Sequence, residues 1–461
     1  MKNKLSTNKL SKRVWFNIIM FGLIGQIAWN VENMYFNTFL YNSVYKGMSQ
    51  TAIDGSMSVT TAISKMVAYS AITAVLTTFI MGNLSDNMRK RKIFISAGYI
   101  AWGITTAAFG FISCDNIALL FNLTDEIKIL TATVITVIVM DCVMTFMGST
   151  ANDSAFNAYV TESCDSSNRA TVESVLALMP FGAMGVVLGL GALVETIGYS
   201  KFFLILGFSV VVCGIIGLFT LNETVHGEKE PAKDYFKNLI YGFRPSVIKE
   251  NSILYTNLAA ICIYSIAIQV FFPYLLIYLE HQLGLSLDAL ASLRPWHFIV
   301  AAVALVVVVV GLITIGKLID KFGKKIFMIV SLACFIIGLF VAGKATSMGT
   351  FVLGIAPLFL GYGLLGIIFN ASIRDHTPAD KVGLFQGVRM IFFVLIPMFV
   401  GPKIGDFSIR ASNTTYINEF GVKQIVPTAS MFTAAGIVAL FTIIPVAILL
   451  IKGVDKKEKV N

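Results

Sequence analysis

Glu32 stands in the stretch GQIAWNVENMYFNTFLY (Gly25 to Tyr41), beside Trp29, Asn30, Asn33 and Asn37 and inside a run long and apolar enough to cross a bilayer. A carboxylate near the bilayer centre costs about 2.5–3.5 kcal/mol on insertion scales, so a chain that keeps one there uses it. Closing a carboxyl off from water favours its protonated form, and hydrating it favours the charged one. Such an acid can take up a proton on one side of a membrane and release it on the other. Asp141 has the same potential, and Thr145, Ser149 and Asn152 follow it at helical spacing. For both acids the other reading is a permanently protonated group holding two helices by a hydrogen bond. Asp153 lies near a helix end, where it either joins the coupling chemistry or serves as a cap or salt-bridge partner of Arg169.

At about 100° per residue, Gln26, Asn30, Asn33 and Asn37 form one stripe of a helix, with Trp29, Glu32 and Phe36 on its flank. A half-polar helix of this kind suits a wall that faces water or solute on one side and packs on the other.

The elements that must carry these residues follow from composition. Of the 461 residues 56% are hydrophobic and only 13% charged, against about 25% charged in soluble domains. Runs such as Ala301–Gly316 and Ala434–Ile451 approach or reach the roughly 20 apolar residues that a spanning helix needs, without the alternation of a membrane β-barrel. Hydrophobic blocks define twelve spans, numbered here in chain order, near 15–41, 60–81, 93–113, 128–152, 170–195, 202–221, 252–279, 296–315, 326–343, 350–372, 383–405 and 428–451. The expected fold is an all-α membrane protein of two six-helix bundles, 1–222 and 251–461, joined by a central loop, 223–250. The basic start MKNKLSTNKLSKRVW runs into span 1 without a cleavage site, so span 1 is expected to stay in the mature protein.

With both termini placed in the cytoplasm, 25 Lys and Arg fall on inner segments and eight on outer ones, leaving Lys65 and Arg389 within spans. This asymmetry fits a multi-pass protein of the cell membrane and accounts for the net charge of +9 without nucleic acid. The six cysteines are scattered, with neither a disulfide framework nor a metal-ligand cluster, and no cofactor is expected.

Two motifs occur twice. Gly82-Asn-Leu-Ser-Asp86-Asn-Met-Arg89-Lys90-Arg91 matches Gly316-Lys-Leu-Ile-Asp320-Lys-Phe-Gly323-Lys324-Lys325, each after the second helix of its half. FNAYVTE (Phe156–Glu162) matches FNASIRD (Phe369–Asp375), each after the fourth. The halves therefore read as copies of one unit.

These residues resemble the major facilitator superfamily of secondary transporters along essentially the whole chain. The G-x-L-x-D-x-x-x-[RK]-[RK] loop is the most specific part of the resemblance. There glycine permits close helix approach, aspartate caps or pairs with a helix end, and the cations stay in the cytoplasm. The first copy departs by placing Arg89 where glycine is usual. AWNVE in span 1 and Ser85-Asp86 look like the sucrose/proton symporters, whereas DSAFNAYVTE is similar to the glycoside-pentoside-hexuronide symporters, in which Asp153 would fall at a cation-binding position. Span 2, SAITAVLTTFIMG, lacks the paired aspartates of the sodium-linked members, so the resemblance implies a proton, not sodium.

It also implies that spans 1, 4, 7 and 10 line a central cavity, reached by alternating access, in a monomer that binds a small-molecule substrate. Amides and aromatic faces suit a sugar, and Trp29, Asn30, Asn33, Asn37, Gln269, Tyr274 and Asn370 offer both. Arg389 is either a gate or a side chain snorkelling to the interface. Prolines 180, 273, 357, 397 and 402 are positioned to kink their spans. Gly185-x-x-x-Gly189 and Gly401-x-x-x-Gly405 are expected to bring helices close. A proton-linked exporter is the nearest alternative, disfavoured by span 5 reading MPFGAMGVVLGLG in place of an antiporter glycine-proline motif. A membrane-embedded enzyme or sensor is the more distant one; no phosphate loop, metal cluster or paired nucleophile supports it.

Overall fold

Backbone groups have no water to bond in a bilayer core, so an apolar chain of this length must satisfy them within helices. The computed structural model, which describes residues 10–88, 90–164, 169–223, 242–284, 324–378 and 382–452, follows that rule. Among the described residues ten helices are long and apolar enough to span: Lys12–Val44, Val59–Gly82, Arg91–Phe111, Glu126–Ser163, Thr196–Thr220, Ser252–His281, Lys324–Ala342, Gly349–Asp375, Gly387–Ser412 and Ser430–Lys452. They correspond to spans 1–4, 6, 7 and 9–12. Span 8 lies outside the described residues. Spans 5 and 6 run on as Arg169–Thr220, interrupted at Gly198, whose φ of 78° and ψ of 162° glycine adopts readily.

Side chains place the ends. Ser11, Ser113 and Asp125 accept from the first-turn amides of spans 1, the short helix Cys114–Phe121 and span 4, and Ser347 with Thr350 forms a capping box on span 10. Span 2 differs from the expectation: its helix extends to Met88, so Gly82 and Asp86 continue it instead of opening a loop. Between spans 11 and 12 a small antiparallel hairpin, Thr415–Ile417 with Lys423–Ile425, turns through Gly421. Nothing in the hydrophobic pattern announced it.

The chain forms two compact units, one of residues 1–56 and 72–232, the other of 57–71 and 233–461. In the first, spans 3 and 6 are pressed together through Gly103 and Gly207. A Cβ on either would stand 2.4 Å from the other's carbonyl oxygen. Phe36, Phe109 and Phe203 form an aromatic core, with Phe36 and Phe109 centroids 4.0 Å apart. At the end carrying the repeated motifs, Arg13 donates to the last carbonyls of span 6, Thr220 at 2.6 Å and Phe219 at 2.7 Å, where a cation also complements the helix dipole.

In the second unit spans 9 and 10 pack closely at Gly338 and Gly354. Span 7 interrupts its α-helix with a 3₁₀ turn at Phe272–Tyr274, around Pro273. Gly401 and Gly405 of span 11 do admit span 7: added Cβ atoms would lie 2.5 Å from Gln269 Cβ and 2.1 Å from the Val270 carbonyl. Gly185 and Gly189 do not act alike. Among the described residues nothing lies within 4 Å of a Cβ added at either. Small residues permit an approach, and only a partner surface makes one.

The repeated motifs find each other. In the first unit Arg91 Nη2 lies 2.7 Å from Glu162 Oε1; in the second, Lys324 pairs with Asp375. Each joins a cation of the first motif to the terminal acid of the second. Phe156 and Phe369, equivalent positions in the second motif, pack on Phe21 and Tyr264, at centroid distances of 6.2 and 5.8 Å.

Candidate functional site

In the first unit spans 1 and 4 meet along a seam. Phe21 packs on Phe156. At Gly25 an added Cβ would lie 2.1 Å from Asn152 Nδ2. At Gly148 it would lie 3.0 Å from Trp29 Cη2, and Thr145 Oγ1 donates to Glu32 Oε1 at 3.0 Å. Numbers rise in span 1 by the same steps by which they fall in span 4, as in two antiparallel helices held in one register. The spacing of four, four and three residues follows the helical turn.

Glu32 is therefore a seam residue, buried to 6% exposure. Asp141 is 1% exposed, one turn further along span 4. Asn152 donates to the Tyr99 hydroxyl at 2.6 Å, and Tyr99 donates to the Phe21 carbonyl at 2.7 Å, tying span 3 to the same seam. Asp153 accepts from Ser149 at 2.9 Å; its expected partner Arg169 has its side chain outside the described part.

Three candidates share a backbone feature that no hydrophobic period reveals. Glu32 opens a π-helical turn, Glu32–Phe36; Asp153 lies within another, Ser149–Phe156; Arg389 stands two residues before a third, Ile391–Leu395. Such turns widen the helix, loosen the i→i−4 ladder and recur at functional sites. The turn after Glu32 also overturns part of the 100° wheel. Gln26, Asn30 and Asn33 remain partly exposed, but Asn37 is fully buried and so leaves the stripe.

The asparagines each spend one amide N–H on their own helix: Asn30 on the Gln26 carbonyl at 2.9 Å, Asn33 on Trp29 at 2.7 Å and Asn37 on Asn33 at 2.7 Å. Asn30 and Asn33 each keep a carbonyl oxygen, which accepts from hydroxyls, and a second N–H, which can donate. Trp29 packs on Trp102, centroids 4.9 Å apart. Sequence reasoning passed over Trp102, Tyr99 and Gly148 because their role appears only in the pairing of spans.

In the second unit Arg389 Nη2 donates to Asn370 Oδ1 at 2.8 Å and its guanidinium lies 5.2 Å from the Phe393 ring centroid. Two residues assigned to different roles by sequence thus form one group. Gln269 is partly exposed, with Oε1 buried and lacking a hydrogen-bond partner among the described residues. Tyr274 is fully buried and its hydroxyl donates to the carbonyls of Pro402 at 2.9 Å and Thr60 at 3.1 Å, a packing arrangement with no open face.

Of the loop residues, Arg91 is buried at 4% exposure and also donates to Ser85 at 2.5 Å. This corrects the expectation of a solvated cation, since its carboxylate partner makes burial tolerable. Lys90 and Lys325 are exposed, and Lys324 is partly buried in its pair with Asp375. A Cβ at Gly82 would make only ordinary contact among the described residues, 3.5 Å from Ser154 Oγ. The Asp86 side chain, Gly316 and Asp320 lie outside the described part. Among the described residues no group of acids, cysteines and histidines could hold a metal ion.

The sequence profile of the Major Facilitator Superfamily matches residues 33–402 and 259–461. Among solved structures the fold is similar to the xylose transporter XylE from E. coli (TM-score 0.64, 13% identity, 97% of each chain covered). It is also similar to the nucleoside transporter NupG (TM-score 0.62, 10% identity, 95% of this chain and 98% of that one). A bacterial homologue of the human lysosomal transporter Spinster gives 0.60 at 14% identity, covering 96% of this chain and 97% of that one. At these identities the likeness is one of fold. A curated relative, the MFS-type efflux transporter ffsH of Aspergillus flavipes, is 33% identical over 101 residues, 22% of this chain. The match spans only 17% of that protein's length.

Proposed function

Because the chain belongs to the major facilitator superfamily, and so is a multi-pass membrane transporter, we propose that it moves a sugar or glycoside by proton-coupled symport with alternating access. The observation that carries this reading is the Glu32–Thr145 contact, a carboxyl held inside an apolar seam by a neutral hydroxyl. A hydroxyl can donate to the charged carboxylate and accept from the protonated acid, so it serves both states of a proton carrier. Trp29, Asn30 and Asn33 on the same span supply an aromatic face and hydroxyl acceptors, which is sugar chemistry. XylE and NupG, by their names, carry a sugar and sugar-bearing molecules. The residue resemblances favour the sucrose/proton and glycoside-pentoside-hexuronide group. The charge asymmetry supports a cell-membrane orientation with both termini in the cytoplasm, and the chain is proposed to act as a monomer.

The test is uptake of a panel of sugars and glycosides into liposomes holding the purified protein, under an imposed proton gradient and with or without sodium. Accumulation that needs the proton gradient and ignores sodium is the expected result. Accumulation driven only by sodium would overturn the coupling. Proton-linked export is the second reading, favoured by the efflux relative. Net movement of solute against the direction of proton entry would select it.

A further inference from the structure

We propose that Gly148 is the position that sets substrate selectivity, by shaping a stacking platform in which Trp29, backed by Trp102, receives the apolar C–H face of a pyranose ring. The inference rests on the sugar reading above and adds to it a site and a ring geometry. Gly148 lies beneath both indoles. A Cβ there would stand 2.8 Å from Trp102 Cε2, 3.0 Å from Trp102 Cζ2 and 3.0 Å from Trp29 Cη2. Trp102 is fully buried and walled by the Tyr99 ring at 5.5 Å, so it cannot yield. Trp29 is partly exposed and would be the ring displaced. A methyl group at 148 therefore acts on one side chain, and that side chain is partly exposed.

The polar surroundings choose the ligand. Both indole N–H groups are buried without a partner among the described residues, so an oxygen from ligand or water completes them. Beside the platform Asn30 and Asn33 each donate one N–H to a backbone carbonyl and keep a carbonyl acceptor and a second N–H. A ring bearing several hydroxyls is satisfied by acceptors next to an apolar face and by donors at its rim. The platform sits one helical turn from the Glu32–Thr145 contact on the same two spans. A ring seated there and the acid at that contact are thus held by one seam.

The experiment measures binding of methyl and p-nitrophenyl glucopyranosides, galactopyranosides and xylopyranosides, with uridine and adenosine, to the purified full chain by calorimetry and thermal shift. Gly148→Ala is expected to weaken the pyranosides that bind wild type about tenfold, the worth of one aromatic contact. Gly182→Ala, where the nearest atom to an added Cβ is 4.0 Å away, should bind as wild type. Trp29→Ala, which removes the platform without adding bulk, should lose binding and stands in if the alanine variant at 148 does not fold. Pyranosides bound equally by wild type, Gly148→Ala and Trp29→Ala would overturn the platform and leave the sugar reading standing. Binding of nucleosides alone, or of nothing in the panel, would overturn both.

Discussion

Arg91 and Glu162, 71 positions apart, form an ion pair at 2.7 Å in which the arginine is 5% exposed and the glutamate 22%. The second unit has a related pair, Lys324 with Asp375, whose cation stands one motif position before Lys325, the equivalent of Arg91, and whose acid is 40% exposed. One kind of pairing, present in both copies of the repeat, thus has unequal weight in the two units. Desolvation separates them: removing one partner of a buried pair strands a charge, whereas water takes over at an exposed one.

Arg91→Ala should cost about 3 kcal/mol, and Lys324→Ala under about 1 kcal/mol. Thermal unfolding in detergent, followed by tryptophan fluorescence, reads both. Equal losses would contradict the assigned burial. The exchange Arg91→Glu with Glu162→Arg should recover part of the first loss.

Glu32→Gln keeps the shape and the contact to Thr145 but cannot carry a proton. Accumulation against a gradient should disappear while counterflow exchange of labelled solute persists. Full accumulation by this variant would remove Glu32 from the coupling role.

Thr145→Val is isosteric and leaves the Glu32 carboxyl without that hydroxyl, at a cost of about 1.5–3 kcal/mol for a hydrogen bond to a charged group. Thr145→Ser restores it. Proton-to-solute coupling ratios should fall in the valine variant and return with serine. If both variants behave alike, the hydroxyl has no part in coupling.

The two G-x-x-x-G pairs should respond oppositely to alanine. At Gly405 the new methyl would meet the Val270 carbonyl 2.1 Å away, so Gly405→Ala should destabilise by about 1–3 kcal/mol. At Gly185 and Gly189 no atom of the described residues lies within 4 Å of an added Cβ, and alanine should be neutral or add up to about 1 kcal/mol through helix propensity. Melting temperatures of the three variants decide it.

Much of this protein was legible in its residues because the bilayer judges them one at a time. Transfer of each side chain into hydrocarbon is local, so the apolar runs announced the spans, the prolines an interrupted span 7, and Glu32 and Asp141 the costly exceptions. The doubled motifs led to the expectation of two related halves, and the units observed place 57–71 with the second. What no run or motif contains is register between distant helices. That Glu32 meets Thr145, that Trp29 rests over Gly148 and that Arg91 is buried against Glu162 depends on the packing of spans far apart in sequence. The π turns at Glu32 and Asp153 escaped for a related reason: a widened turn is chosen by what surrounds the helix, and a fixed 100° per residue cannot register it. Sequence named the acid and the span it sits in. The tertiary structure decided its neighbours, because close packing, unlike hydrophobicity, belongs to pairs of surfaces and to no single residue.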